Sequence, residues 1–132
     1  MVAYGWEMLL PSEIEARWLL PVLRALIVRR LLSEYHMTQE KVARLLGITQ
    51  ASVSNYVRAV RARGLKPEVM SLLARYANDV ADLAYRTQDA QSVAKAIQEA
   101  LNRIRKDRVL CEVHLLLEPG FDVENCELCQ MN

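Results

Sequence analysis

Apolar residues recur along most of the chain at a spacing close to 3.6 residues, the period of a helix with one buried face. The first run extends from Ile14 to Leu31 and contains Pro21, where we expect a kink or a restart because proline lacks a backbone donor. Two further runs, 67–86 and 87–108, follow the linker signal Arg63-Gly64-Leu65-Lys66-Pro67. The pattern predicts an all-α fold.

Residues 38–57 contain two short helical segments joined by a glycine. Thr38 is the predicted cap of the first helix, and Thr49 is the predicted cap of the second. Gly47 supplies the positive φ angle that a tight turn between helices requires. Ala43 is small where the two helices must approach closely. Caps, glycine and apolar positions at this spacing are typical of a helix-turn-helix.

The second of these helices is predicted to have an apolar inner face, anchored by Val53 and Val57, and a polar outer face. Short amide and hydroxyl side chains suit a helix in a major groove, because Gln and Asn can bond an adenine edge and Arg can bond guanine. The candidate DNA-binding residues of the outer face are Gln50, Ala51, Ser52, Ser54, Asn55 and Arg58. Basic residues flank the helix pair and are candidates for phosphate contacts: Lys41, Arg44, Arg58, Arg61 and Arg63. The alternative is two amphipathic helices of any bundle.

Over about residues 22–63 the chain resembles the lambda-repressor and Cro type of helix-turn-helix, the XRE-like family. Gln39 and Gln50 stand where that family keeps a paired glutamine. The resemblance implies that Gln39 contacts a phosphate and supports Gln50, and that Gln50 reads a base.

A wider resemblance reaches both ends of the chain. Ser12-Glu13-Ile14-Glu15 and Leu20-Pro21-Val22-Leu23-Arg24-Ala25-Leu26-Ile27, followed by the helix-turn-helix and a cysteine-bearing tail, are similar to a group of small archaeal predicted transcriptional regulators. This resemblance implies a cytoplasmic regulator from thermophilic or anaerobic archaea, but no particular operator.

The formal net charge of +1 is unevenly distributed: residues 1–66 carry +5 and residues 67–132 carry −4. A polyanionic partner therefore suits the first half of the chain only. The longest apolar stretch, Trp18 to Leu32, contains three arginines and a proline, and it is too short to span a membrane. The first residues lack the features of a secretory signal. We expect a cytoplasmic protein without a membrane partner.

All three cysteines lie in the last 22 residues. Cys111-Glu112-Val113-His114 and Cys126-Glu127-Leu128-Cys129 each leave two residues between potential ligands, a spacing that lets both side chains turn toward one ion. The set Cys111, His114, Cys126 and Cys129 predicts one metal centre per chain. Its chemistry suits tetrahedral zinc, and it also suits an iron–sulfur cluster with the histidine or an external group as the fourth ligand.

Two alternatives to a metal centre remain for the tail. Cys126 and Cys129 can act as a redox pair, although no thioredoxin-like βαβ pattern accompanies them, or the thiols are inert. If the tail binds a metal, the archaeal resemblance favours a sensory iron–sulfur cluster, whereas the absence of a fourth cysteine weighs against such a cluster. Zinc and iron–sulfur both stay open.

These observations divide the chain into a helix-turn-helix DNA-binding domain (1–66), a helical dimerisation region (67–110) and a metal-binding or redox tail (111–132). One helix-turn-helix reads only a few base pairs, so we expect a homodimer on a palindromic double-stranded DNA operator. The apolar stripes of residues 67–108 are the candidate dimer interface. The predicted function is sequence-specific transcription regulation, with the metal, iron–sulfur or redox state of the tail changing the distance between recognition helices.

Two other functions are alternatives to transcription regulation. One is a thiol redox protein that uses Cys126 and Cys129, and the other is a helix-turn-helix that docks proteins instead of DNA. We expect no enzymatic activity, because the sequence shows no Ser/His/Asp set, phosphate-binding loop or catalytic carboxylate pair.

Overall fold

The helices of the protein follow the predicted apolar runs. A computed structural model describes residues 9–58, 66–117 and 126–127. The elements are α1 (Pro11–Ile14), a π-helical turn (Glu15–Leu19), α2 (Leu20–Ser33), α3 (Gln39–Leu46), α4 (Gln50–Arg58), α5 (Pro67–Thr87), α6 (Ala90–Lys106) and α7 (Val109–Leu117). The regular structure of these residues is entirely helical, which confirms the predicted all-α class.

Helices α1 and α2 are continuous with each other through the π-helical turn. Pro21 lies in the first turn of α2 and has no N–H to donate to the carbonyl four residues earlier. The wider bonding of the π turn, in which the Leu20 N–H donates to the Glu15 carbonyl, carries the chain up to this point without a break. The interruption expected at the proline is therefore a local change of helical winding just before it.

One hydrophobic core joins the short helices α3 and α4 to the long helices. Helix α2 is its centre, because α2 packs against α5 along most of its length and also contacts α4 and α3. Small residues at Ala77, Ala81 and Ala84 are completely buried and allow α5 to approach its neighbours closely. Larger side chains fill the remaining space, among them Leu23, Ile27, Leu31, Val42, Val53, Leu73 and Ile104. Across the described residues, no helix combines the length and apolar character needed to cross a membrane.

The apolar stripes of α5 and α6 are buried within the chain itself. Leu73 and Val80 on α5, and Val93 and Ile104 on α6, are buried in the core that these helices form with α2, α3 and α7. These side chains are therefore used in the core of the single chain, and the predicted dimerisation role of residues 67–110 stays a prediction. Helical periodicity shows that a face is buried, but it does not show whether the same chain or a second chain buries it.

A bidentate ion pair ties the π-helical turn to the end of α6. Arg105 donates from Nη2 to Glu15 Oε1 at 2.6 Å and from Nε to Oε2 at 3.0 Å. The side chains are only 27% and 14% exposed, so water screens the pair weakly. This pair holds together two elements that are 90 residues apart in the sequence.

We predict that E15Q and R105Q each lower the free energy of unfolding by about 1.5–3 kcal/mol, because each removes a charge-assisted hydrogen-bonded partner from a largely buried site. The double variant should lose less than the sum of the single losses. Urea unfolding followed by circular dichroism measures these values. R44Q is the control, since it breaks an exposed pair with Glu40 at 3.9 Å and should cost no more than about 0.5 kcal/mol. Equal losses for R105Q and R44Q would contradict the prediction.

A second polar cluster joins α5 to the end of α2 and the segment after it. Asp82 Oδ1 accepts hydrogen bonds from the Tyr35 hydroxyl at 2.5 Å and from Arg30 Nε at 3.2 Å. The Tyr35 ring also stacks on Tyr85, with centroids 4.2 Å apart. The hydrogen bond from Tyr35, followed by that from Arg30, favours the ionised carboxylate and holds the pKa of Asp82 below its usual 3.8.

The lowered pKa of Asp82 makes its contribution to stability dependent on pH. The contribution is present above pH 3.8 and is lost as the pH falls through the folded-state pKa. We predict that D82N is less stable than the wild type at pH 6 and that the difference narrows progressively as the pH is lowered below about 4. Urea midpoints over a pH series test this. A difference between D82N and the wild type that stays constant over the pH series would refute the prediction.

Candidate nucleic-acid interface

Helices α3 and α4 meet at a tight turn whose geometry depends on Gly47. This residue adopts φ 65° and ψ 34°, the left-handed conformation, and its N–H reaches the carbonyls of Ala43 and Arg44. The Ile48 N–H donates to the Ala43 carbonyl at 3.0 Å, so the last turn of α3 is closed by backbone hydrogen bonds. The predicted role of the glycine is confirmed, because a residue with a Cβ is strained at this φ angle.

Both helices begin at the threonines that the sequence indicates. Thr38 Oγ1 accepts from the Lys41 N–H at 3.2 Å, and Thr49 Oγ1 accepts from the Ser52 N–H at 3.0 Å. Each cap satisfies a backbone donor that the first turn of a helix leaves without an internal partner. The cap at Thr49 fixes the start of α4 at Gln50 and thereby decides which of the following side chains share a face.

The inner face of α4 is centred between Val53 and Tyr56. Val53 is completely buried and Tyr56 is partly buried against the core, whereas Val57 is 37% exposed. The expectation that Val57 anchors the inner face is therefore wrong. Successive residues of a helix are rotated by about 100°, which places Val57 beside Gln50 at the edge of the outer face. In the sequence, Tyr56 is the signal for this arrangement, because it is a large aromatic residue three positions after Val53, on the same side of the helix.

The outer face of α4 presents short polar side chains to solvent. Gln50, Ala51 and Asn55 are exposed, while Ser52 and Ser54 are half-buried. The Ser52 hydroxyl lies 2.8 Å from Thr49 Oγ1 and belongs to the cap. Arg58 is the last residue of α4, and its side chain lies outside the described part of the structure. The candidate base-reading residues therefore form two groups: one is exposed to solvent, and the other, the two serines, is partly covered by neighbouring protein atoms.

Gln39, the first residue of α3, is linked directly to α4. The Ser54 hydroxyl donates to Gln39 Oε1 at 2.9 Å, and both side chains are partly buried. The resemblance implies support of Gln50 by Gln39, whereas the hydrogen bond that the structure describes joins Gln39 to Ser54. The two glutamines begin the two helices, and the serine lies one turn into the second.

The candidate phosphate-binding residues are described in part. Lys41 and Arg44 are exposed on α3, and the Arg44 guanidinium lies 3.9 Å from the Glu40 carboxylate. An exposed pair at this distance contributes little energy, so Arg44 remains available to an anion. Arg61 and Arg63 lie outside the described residues.

The candidate metal ligands are only partly described. Cys111 and His114 lie three residues apart on α7 and are 8% and 2% exposed. The Cys126 carbonyl accepts a hydrogen bond from Arg108 Nη2 at 3.2 Å, which brings this part of the tail back to the residue before α7. Cys129 falls outside the described residues. Within the described ranges, no three potential metal-ligating side chains come together.

Part of the chain matches a known protein family. Residues 28–80 match the family model described as helix-turn-helix, a segment that contains α3, α4, most of α5 and the end of α2. Searches of curated proteins and of solved structures returned no significant match. The matched family is one of DNA-binding transcription regulators, whereas the wider archaeal resemblance and the cysteine tail stay predictions. The match covers less than half of the 132 residues, so residues 28–80 are similar to the helix-turn-helix of the XRE family.

Proposed function

We propose that this protein is a sequence-specific transcription regulator that reads the major groove of double-stranded DNA with α4. The observation that carries the proposal is the exposure of Gln50, Ala51 and Asn55 on a helix whose opposite face is held in the core by Val53. Amide side chains can make paired hydrogen bonds to an adenine edge, and a methyl group can contact thymine.

The first helix of the pair is suited to hold the protein on the DNA backbone. Its N-terminus carries the positive end of the helix dipole, and Lys41 and Arg44 extend from its exposed surface. Contacts of this kind set the position and orientation of a recognition helix without reading sequence. The basic half of the chain therefore coincides with the half that contains the proposed interface.

We also propose that the regulator acts as a homodimer on a palindromic operator. One recognition helix reaches only a few base pairs, and two copies on half-sites about 34 Å apart supply the affinity and specificity that one copy lacks. The buried apolar side chains of α5 and α6 belong to the core of the single chain. The dimer proposal therefore rests on the need for two recognition helices.

The test begins with selection of a preferred duplex from a random pool by the full-length protein. We predict that Q50A and N55A each weaken binding to the selected duplex by about 1–3 kcal/mol and relax the base preference at one position. Binding to a random duplex of the same length should be almost unchanged. K41Q should weaken binding to both duplexes and reduce its steep dependence on salt. Fluorescence anisotropy over a series of salt concentrations measures the affinities of the wild type and the three variants for both duplexes.

Q91A is the matched control, since it removes an exposed amide from α6 and should leave binding unchanged. Sedimentation of the complex should show two chains on a palindromic duplex. A wild-type protein that binds no duplex would contradict the proposal and favour a protein-docking module. One chain on the full selected site would contradict the dimer alone.

We further propose that Cys111, His114, Cys126 and Cys129 hold one metal centre per chain, zinc or an iron–sulfur cluster, whose state modulates DNA binding. Two observations support it. Cys111 and His114 have the spacing that places side chains on one face of a helix, and the bond from Arg108 to the Cys126 carbonyl returns the tail to this region. A ligand set of three thiolates and one imidazole suits either group.

We predict about one zinc per chain in a colourless protein, or iron and sulfide in a brown one, after anaerobic purification, with C126S and C129S each losing the metal. Metal analysis and an absorption spectrum measure this. E127Q is the control within the same loop and should retain the metal. A metal-free wild type with a reversible dithiol would instead support the redox alternative, and unchanged operator affinity after metal removal would make the site structural.

A further inference from the structure

We infer that a pocket between α2, α6 and the turn that follows α3 binds a small organic carboxylate with an apolar body. The pocket has a volume of about 290 Å³ and is partly open to solvent. This volume lies at the lower end of the range for small-molecule sites. The inference is separate from the proposed DNA-binding function, because ligand binding is measured on the protein alone.

The walls of the pocket are mainly apolar. They are supplied by α2, by the end of α3 together with Gly47, and by α6. Large aliphatic side chains from all three helices line the space, among them Leu20, Leu46, Val93, Ile97 and Leu101. A ligand that fills this space gains free energy by moving apolar surface out of water. The lining therefore requires that most of the ligand be hydrocarbon.

Arg24 gives the pocket a positive charge. It lies one turn after Leu20 on α2, and both residues belong to the wall. Arg24 is partly buried, and none of the described carboxylates forms an ion pair or a hydrogen bond with it. A guanidinium beside apolar walls has lost part of its hydration. A carboxylate restores those hydrogen bonds, because it can accept two parallel N–H bonds from one arginine.

The polar residues around the pocket favour an anion over a cation. Gln98 is the other polar side chain of the described lining, which contains no acidic residue. Asp89 precedes α6, but its carboxylate accepts hydrogen bonds from the N–H and the hydroxyl of Ser92. A smaller pocket of about 150 Å³ between α5 and α6 contains Asp79 and Glu99 against one arginine. A carboxylate is therefore attracted to the larger pocket and not to the acidic one.

The test measures binding of octanoate and of its uncharged analogue octanol to the full-length protein by isothermal titration calorimetry. We expect saturable binding of a single octanoate per chain. Octanol should bind about ten- to a hundredfold more weakly, because it cannot form the charge-assisted hydrogen bonds to Arg24. R24Q should bind octanoate as weakly as the wild type binds octanol, and it should no longer distinguish the two ligands.

Two further variants locate the binding site. A94W places an indole at an exposed position of the pocket wall and should abolish binding of both ligands. R29Q removes an exposed arginine of α2 outside the described lining and should leave binding unchanged. The inference is overturned by equal affinities of the wild type for octanoate and octanol, by no saturable binding of octanoate at millimolar concentration, or by unchanged octanoate binding in R24Q or A94W. The comparison of the two ligands on the wild type provides this test even where a variant does not fold, which circular dichroism checks.

Discussion

The left-handed backbone at Gly47 sets the angle between α3 and α4, and the proposed DNA-binding surface depends on that angle. With φ at 65°, the chain closes α3 with its own backbone hydrogen bonds and reaches the cap at Thr49 two residues later. Val53 then enters the core as α4 packs on α2. The polar face of α4 points outward as a consequence. A different turn would rotate Gln50 and Asn55 away from solvent without any change in their identity.

The longer helices pack around this turn and are joined to one another by two polar links. Helix α5 packs along α2, and the cluster of Arg30, Tyr35 and Asp82 pins the two together close to the start of α3. At the other end, the pair between Glu15 and Arg105 ties α6 to the π-helical turn. Both polar links join residues that are far apart in sequence. Because hydrogen bonds are directional, each link fixes the relative position of two helices more narrowly than apolar packing alone does.

The proposed interface combines backbone positioning with base reading on neighbouring side chains. Ser54 and Gln39 belong to the contact between two helices, whereas Gln50 and Asn55 are exposed. The proposed metal centre lies at the opposite end of the chain, where α7 packs on α1 and α6. Two packing routes join the sites: α6 contacts both α7 and α3, and α2 joins the π-helical turn, which contacts α7, to α3 and α4. Coupling between the sites is thus a matter of packing between helices and not of direct contact.

The amino-acid sequence by itself determined the helical class, the caps at Thr38 and Thr49 and the turn at Gly47, because each depends on residues within about four positions of one another. Only the tertiary structure decided that Tyr56 anchors α4 in place of Val57, that the stripes of α5 and α6 are buried within the chain, and that Gln39 is bonded to Ser54. A hydrophobic period specifies that a face is buried. The identity of the surface that buries it, and the partner of a polar side chain, depend on elements distant in sequence, whose arrangement no local pattern contains.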